Sequence, residues 1–310
     1  MNISYRIYFR LVQLFLKICV FVAFSSRKYI QILYWYIFVY FDYNSAFLLD
    51  LHKNFIFYVK NLEKFFIKQF VNKTREQWQK YKDLYKGKEV VVVACGRTVE
   101  NYKMIKDAIH IGVNRAFKIP HIKLDYLCYQ DTFPEGSQEL DAYTRECKRL
   151  SGMLPESRRY ELKHCDWDGL PYTKENLQDN LCFMLNPFEK DSKYALNIEK
   201  EAFCDAEGCV FSALQFIMYT NPKKIYFVGC DCSNTVSDYA YLKVNPTYAR
   251  QKRSYIKFKD FYEKYYPDTE FVSINPIGLK GIFKDVYTQS YIDGNPELNL
   301  LNEDIEIIQG

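Results

Sequence analysis

Asp131 and Asp231 each stand just past an apolar run, in "CYQDTF" and "VGCDCS". An acid in such a place can hold ribose, orient a hydroxyl or take its proton as general base, and it can equally cap a loop. Tyr239 and Tyr241 follow Asp231 within "VGCDCSNTVSDYAY", and a phenol there can donate to a leaving-group oxygen without a metal. Tyrosine is common in this chain, with 28 copies, so chance placement competes with that role. Asn114, in "GVNRAF", has an amide that donates and accepts at once, which suits a nucleobase edge or a ribose hydroxyl; the alternative is a residue closing a turn. Arg115 beside it could pair a phosphate bidentately. Gly208 and Cys209 open the apolar run "CVFSALQFIMY", where the unpaired N–H groups of a helix start suit an anion, unless the glycine only serves chain geometry.

Other chemistries are poorly supplied. The loop "ACGRT" after the valine run at 90–93 has one glycine, so it is neither the dinucleotide fingerprint nor a P-loop. The four histidines His52, His110, His121 and His164 form no zinc motif, and no G-x-S-x-G elbow occurs. "DWD" at 166–168 matches the D-x-D that holds a divalent ion in many glycosyltransferases, but no further ligands stand nearby at a recognisable spacing, so no metal is expected.

These residues need strands that end side by side. β-Branched and apolar runs predict strands over 90–94, 110–113, 125–129, 181–185, 224–228 and 270–274, and helical periodicity predicts helices over 99–108, 138–150, 209–220 and 248–265. Such alternation implies an α/β, Rossmann-like architecture: a mainly parallel sheet flanked by helices, with ligands at the carboxyl ends of its strands. The segments "ACGRT", "GVNRAF", "CYQDTF" and "VGCDCSNTVSDYAY" would then share one edge.

The first 54 residues differ in texture, an aromatic-rich helical region preceding the sheet domain. Their apolar runs are each shorter than a spanning helix needs, and Lys17 interrupts the first. Tyrosine, tryptophan and basic residues suit a membrane interface, so residues 1–54 are expected to be membrane-associated; a hairpin packed on the body or a cleaved signal peptide are the alternatives. Residues 55–86 read as an amphipathic helical linker and 87–310 as the Rossmann-like domain. Net charge is +4, but the first 60 residues hold seven Lys/Arg against Asp42 and Asp50, +5 there and −1 for the remainder. A near-neutral body speaks against nucleic acid as a partner. The ten cysteines form no regular framework, which suits a reducing compartment.

In order, "KGKEVVVVACGRTVENY", "IHIGVNRAF", "DYLCYQDTF", "GCVFSALQFIMYTNPKKIYFVGCDCS" and "FVSINPIGLKGIF" resemble the bacterial sialyltransferases that use CMP-sialic acid. They equally resemble the related glycosyltransferase-like family of flagellin and surface-polysaccharide proteins, which includes a hydroxymethylpterin diphosphokinase branch. The resemblance covers roughly residues 86–286. It implies a nucleotide site at Cys95, Gly96, Arg97, Thr98, Asn114, Gly208, Cys209 and Ser233. Cys95 stands where the sialyltransferases have an asparagine that touches the nucleotide, and Cys209 where a hydroxyl residue contacts the donor. Tyr239 matches one of two phosphate-contacting tyrosines, and Ser233 replaces the other. The family's catalytic histidine has no counterpart over 241–264, so either another group, with Asp131 and Asp231 as the candidates, takes the acceptor proton or the reaction differs.

The resemblance thus implies an inverting, metal-independent glycosyltransferase, sialyltransferase-like, working in surface glycan or polysaccharide synthesis. It would use a nucleotide-sugar donor, a CMP-sugar above others, with no tightly bound cofactor, and a glycan or glycolipid acceptor. The expected location is the cytoplasmic face of the inner membrane, with the N-terminus on the membrane surface and homo-oligomerisation open. The alternatives are a hydroxymethylpterin diphosphokinase-like enzyme needing ATP and magnesium, with Asp131 and Asp231 as ligands, or a noncatalytic nucleotide-binding or assembly protein.

Overall fold

The valine run becomes β1 (Glu89–Val93), whose four valines are fully buried on both faces. That is what a central strand of a parallel sheet requires. The computed structural model describes residues 64, 67, 68, 71, 72, 74–130, 147–153, 180–186, 193–204, 206, 208–234, 237, 238, 240, 247–296 and 306–308. These belong to the unit Glu63–Gly310, one of two into which the chain divides.

Nine further strands follow among the described residues: β2 (Ile109–Val113), β3 (Tyr126–Tyr129), β4 (Lys148–Met153), β5 (Asn180–Asn186), β6 (Phe203–Cys204), β7 (Lys224–Val228), β8 (Glu270–Ile274), β9 (Lys284–Thr288) and β10 (Ile307–Ile308). They form one sheet in the order β10-β9-β8-β7-β1-β2-β3-β4-β5-β6. Every strand pairing is parallel, with Val90 opposite Ile109 on one side of β1 and opposite Ile225 on the other. After β1 the α-helices among the described residues are α1 (Cys209–Tyr219), α2 (Tyr248–Tyr265) and the short α3 (Gln289–Asp293); residues 74–79, before β1, are helical as well. This is the α/β, Rossmann-like arrangement that the alternating pattern predicts.

Successive residues of a strand face opposite ways, so the sheet separates two cores. Val90, Val92, Ile111, Val113, Ile225, Phe227 and Phe271 meet α1 and α2 on one face. Val91, Val93, Leu127, Val228, Val272 and Val286 meet Val99, Tyr102, Phe117 and Ile119 on the other. α1 is buried at every position, as a run apolar all round its circumference must be. Its one long polar side chain, Gln215, is satisfied at both ends: Oε1 accepts from the amides of Ala195 and Cys204, and Nε2 donates to the carbonyls of Cys204 and Phe211.

β6, β9 and β10 have no counterpart in the sequence reading, and three further departures bear on the core. Residues 99–108 do not form a helix; a 3-10 turn (Arg97–Asn101) is followed by Tyr102, whose hydroxyl takes the Ile105 amide and pairs with His110 Nε2 under the sheet. Residues 148–150, expected as the end of a helix, lie in β4, where fully buried Leu150 sits between β3 and β5; the rest of that predicted helix lies outside the described residues. The end of the expected linker is part of the core: Trp78 and Tyr81 pack on Phe216, and Tyr85 packs on Tyr126. Residues 1–54 lie outside the described residues, and among those described no helix is long and apolar enough to cross a membrane.

Candidate functional site

The chain leaves β1 in one direction through β2 to β6 and returns to pair on β1's other side with β7, continuing to β10. The topological switch point therefore lies between β1 and β7, and in open α/β sheets the crevice at the carboxyl ends of such strands is where ligands bind. Two loops form its walls here, residues 94–98 after β1 and 229–233 after β7.

The loops lie backbone to backbone. Gly96 donates to the Gly229 carbonyl at 2.7 Å, continuing the ladder that ends at Ala94 N to Val228 O. A Cβ on Gly96 would stand 2.3 Å from the Gly229 oxygen, and one on Gly229, whose φ is 62°, would stand 2.4 Å from the Ala94 oxygen. Neither position has room for a side chain, so both glycines are required by the contact itself.

Asp231 closes the same contact. Its Oδ2 accepts from the Thr98 amide at 3.0 Å, its Oδ1 takes a short hydrogen bond from the Thr98 hydroxyl, and the Arg97 amide also donates to it. Burial pushes its carboxyl above the ordinary aspartate value; these three donors pull it back part of the way. The carboxylate thus braces the β1 loop, and the Thr98 hydroxyl is held by it. The Asp231 carbonyl in turn accepts from Gly278 at 2.7 Å, tying in the loop after β8.

Cys95 is turned inward. Burial raises its thiol to about 12, against the opposing pull of the Arg115 guanidinium and amide, so it stays protonated. Its carbonyl accepts from the amide of Ser237 at 3.2 Å and from that residue's hydroxyl at 3.0 Å. Arg97 is exposed, and Ser233 is half-buried.

Asn114, at the end of β2, has φ 51°, a left-handed conformation that asparagine tolerates better than most residues. Its Oδ1 is buried and has no hydrogen-bond partner among the described residues. A buried acceptor left so costs about 1–3 kcal/mol, and a donor from a bound molecule would recover that.

The start of α1 differs from the sequence expectation. Gly208 has φ 112° and ψ 156°, and its amide donates to Ala206 O at 2.7 Å, so that N–H is already engaged. The Cys209 thiol points into the protein, 3.2 Å from the Cys128 carbonyl and 3.6 Å from the Cys128 sulfur. Gln130 Nε2 donates to Ser212 Oγ at 2.6 Å, fastening the end of β3 to the first turn of α1.

The structure therefore brings Cys95, Gly96, Arg97, Thr98, Asp231 and Ser233 together at the switch point, with Asn114 on the adjoining strand end and Gly208 and Cys209 at a helix start beside β3. Asp131 and Tyr239 lie outside the described residues, as does the "DWD" segment. Among the described residues no group of three or more His, Cys, Asp or Glu could hold a metal ion. Sequence reasoning missed Ser237 and Gly278, because their partners lie far along the chain and no local pattern marks them.

No protein-family model matches the chain, and no curated protein matches it in sequence. Among solved structures it is similar to the sialyltransferase CstII from Campylobacter jejuni in complex with the substrate analogue CMP-3FNeuAc. The identity is 13% over 60% of this chain and 80% of that one, with a TM-score of 0.36. A likeness at that level assigns neither donor nor acceptor.

Proposed function

We propose that the chain is a nucleotide-sugar-dependent glycosyltransferase, sialyltransferase-like, working in surface glycan or polysaccharide synthesis. The observation that carries this reading is the orphaned Oδ1 of Asn114 beside the β1–β7 switch point, where two loops meet through glycine backbone and the Asp231 carboxylate. Such a crevice suits a nucleotide, and the acceptor atom suits a base amino group or a ribose hydroxyl. The ordered segment resemblance across 86–286 points the same way. A CMP-sugar is the first donor to try.

On this reading the acceptor hydroxyl attacks the anomeric carbon and the nucleotide leaves. Asp231 is a weak choice as the base because its oxygens hold the β1 loop, so the proton falls to Asp131. Tyr239 supports the departing phosphate. The acceptor is a glycan or glycolipid, reached at the cytoplasmic face of the inner membrane with the N-terminus on its surface. The noncatalytic alternative draws on the same engagement of Asp231, which leaves a nucleotide site with one expected base already committed.

Thermal-shift measurements with CMP, UDP, GDP, ADP, ATP and CMP-sialic acid, each with magnesium and with chelator, distinguish the readings. Metal-independent stabilisation by a nucleotide or its sugar conjugate supports the transferase and names the donor class, since stabilisation follows RT ln(1 + [L]/Kd). Stabilisation by ATP only with magnesium supports a diphosphokinase. Binding without sugar transfer supports the noncatalytic protein. Full turnover by Tyr239→Phe would remove that residue from the mechanism.

A further inference from the structure

α2 carries an uneven charge pattern. Between Tyr248 and Lys259 it holds Arg250, Lys252, Arg253, Lys257 and Lys259 and no acid; Asp260 and Glu263 come only after. Lys259 turns to the body, donating to the Ile282 carbonyl at 2.7 Å and standing 3.7 Å from Glu263. The other four are exposed, on the side opposite buried Ser254, Tyr255, Phe258 and Tyr262. Two large apolar side chains lie with them, Tyr248 at 43% exposure and Ile256 at 40%. Ile256 follows Lys252 by four residues and Arg253 by three, so all three share one surface.

Helix stability does not explain this. Cations in the first turns oppose the macrodipole, and the first turn has no acid to offset them. The charge is also segregated across the molecule. With +5 in the first 60 residues and +5 over 248–259, a net charge of +4 leaves −6 for everything else. The helix begins at the carboxyl edge of the sheet: Gln251 Nε2 lies 3.5 Å from where a Cβ on Gly208 would be, and the charge of Lys252 is felt at the Cys232 thiol beside the crevice.

We propose that the outward face of the first turns of α2, formed by Arg250, Lys252, Arg253 and Lys257 around Tyr248 and Ile256, docks on an anionic lipid surface and sets the sheet's ligand edge toward it. A single phosphate or nucleotide would call for converging, buried donors. Four cations on a convex helix with apolar side chains between them instead match a plane of anionic headgroups. The proposal concerns how the protein is placed and stands whether or not it transfers a sugar.

The test is vesicle co-sedimentation of the full chain at about 0.15 M salt. The vesicles are phosphatidylcholine alone or with about 30% phosphatidylglycerol. Each cation at such a surface strengthens partitioning about fivefold. The variant R250Q/K252Q/R253Q/K257Q should therefore bind the anionic vesicles more weakly by up to several hundredfold and by at least about tenfold, while keeping a folded circular-dichroism spectrum. The reversal pair R253E/K257E provides a second variant should the first fold poorly. The control K103Q/K106Q/K123Q/K280Q removes as many exposed cations elsewhere and should bind as the parent does.

Equal binding by parent and the α2 variants would overturn the proposal. So would an equal loss in the control, which would mean net charge alone, or equal loss on uncharged vesicles. If removing the α2 cations weakens binding to a soluble acidic oligosaccharide while vesicle binding stays the same, the face serves an acidic glycan and the lipid assignment fails.

Discussion

Asp231 reads in the sequence as a strand-end acid fit for catalysis, and its surroundings show why type and spacing could not decide its role. Three donors from Arg97 and Thr98 converge on one buried carboxylate. Asp231→Asn keeps the shape but sets an amide N–H against one of those donors, so we expect a loss of about 1–3 kcal/mol. A denaturant titration that shows no loss would mean that the loop does not depend on the carboxylate. His110 gives a pH dependence of definite sign. Buried against Tyr102, with Nδ1 on the Ala108 carbonyl at 3.0 Å, its pKa is lowered by burial. The unfolded chain then takes a proton near pH 6.5 that the folded chain refuses, and stability from this group falls as pH drops from there toward the lowered folded value. Asp231, with a raised pKa, works in the opposite direction, since the folded state protonates first. Replacing His110 with Gln should flatten the decline of the unfolding midpoint between about pH 7.5 and pH 5.5; an unchanged slope would assign that decline to other groups.

At the level of elements, legibility followed how locally each was determined. The bounds of β7, β8 and α2 match the sequence reading because apolar runs or a 3.6-residue stripe coincide with their burial. β4 was misread because "KRLSGM" has little strand character of its own and is a strand through its neighbours β3 and β5. β6 and β10, each of two residues, offer no periodicity to find. In the site, the close approach of Gly96 and Gly229 and the inward turn of Cys209 toward Cys128 are both tertiary, and no local pattern marks either. Gln215 shows how an element can hold its neighbours through one side chain. Gln215→Leu removes the acceptor that the amides of Ala195 and Cys204 share and one donor to the Cys204 carbonyl. At about 1–3 kcal/mol for each buried orphan, the loss should be several kcal/mol. Hydrogen exchange should show those two amides losing protection ahead of β1 and β7. Protection unchanged at both sites would mean that the β6 region is held by packing alone.

At the scale of the molecule, the parallel sheet places the strand ends of the site on one edge, and the face packed by α1 and α2 is also covered by what comes before β1. Trp78, Tyr81 and Tyr85 do part of that work, with Trp78 against Phe203 and Phe216 and Tyr81 against Tyr126 and Phe216. The Asp83 and Tyr85 amides donate to the carbonyls of Tyr219 and Thr220, joining this segment to the end of α1. A sequence reading that begins the domain at residue 87 treats these aromatics as part of a linker, whereas they pack in the core. Truncation shows which is right. A chain of residues 64–310 should unfold cooperatively, because it keeps all three side chains. A chain of residues 88–310 loses them together, and at about 3–5 kcal/mol for a buried aromatic the cost rivals the whole stability of an ordinary domain, about 5–15 kcal/mol. It should be insoluble or show no cooperative melt by circular dichroism. If instead it melts as sharply as the longer chain and at the same temperature, the aromatic segment is dispensable and the domain does begin at the valine strand.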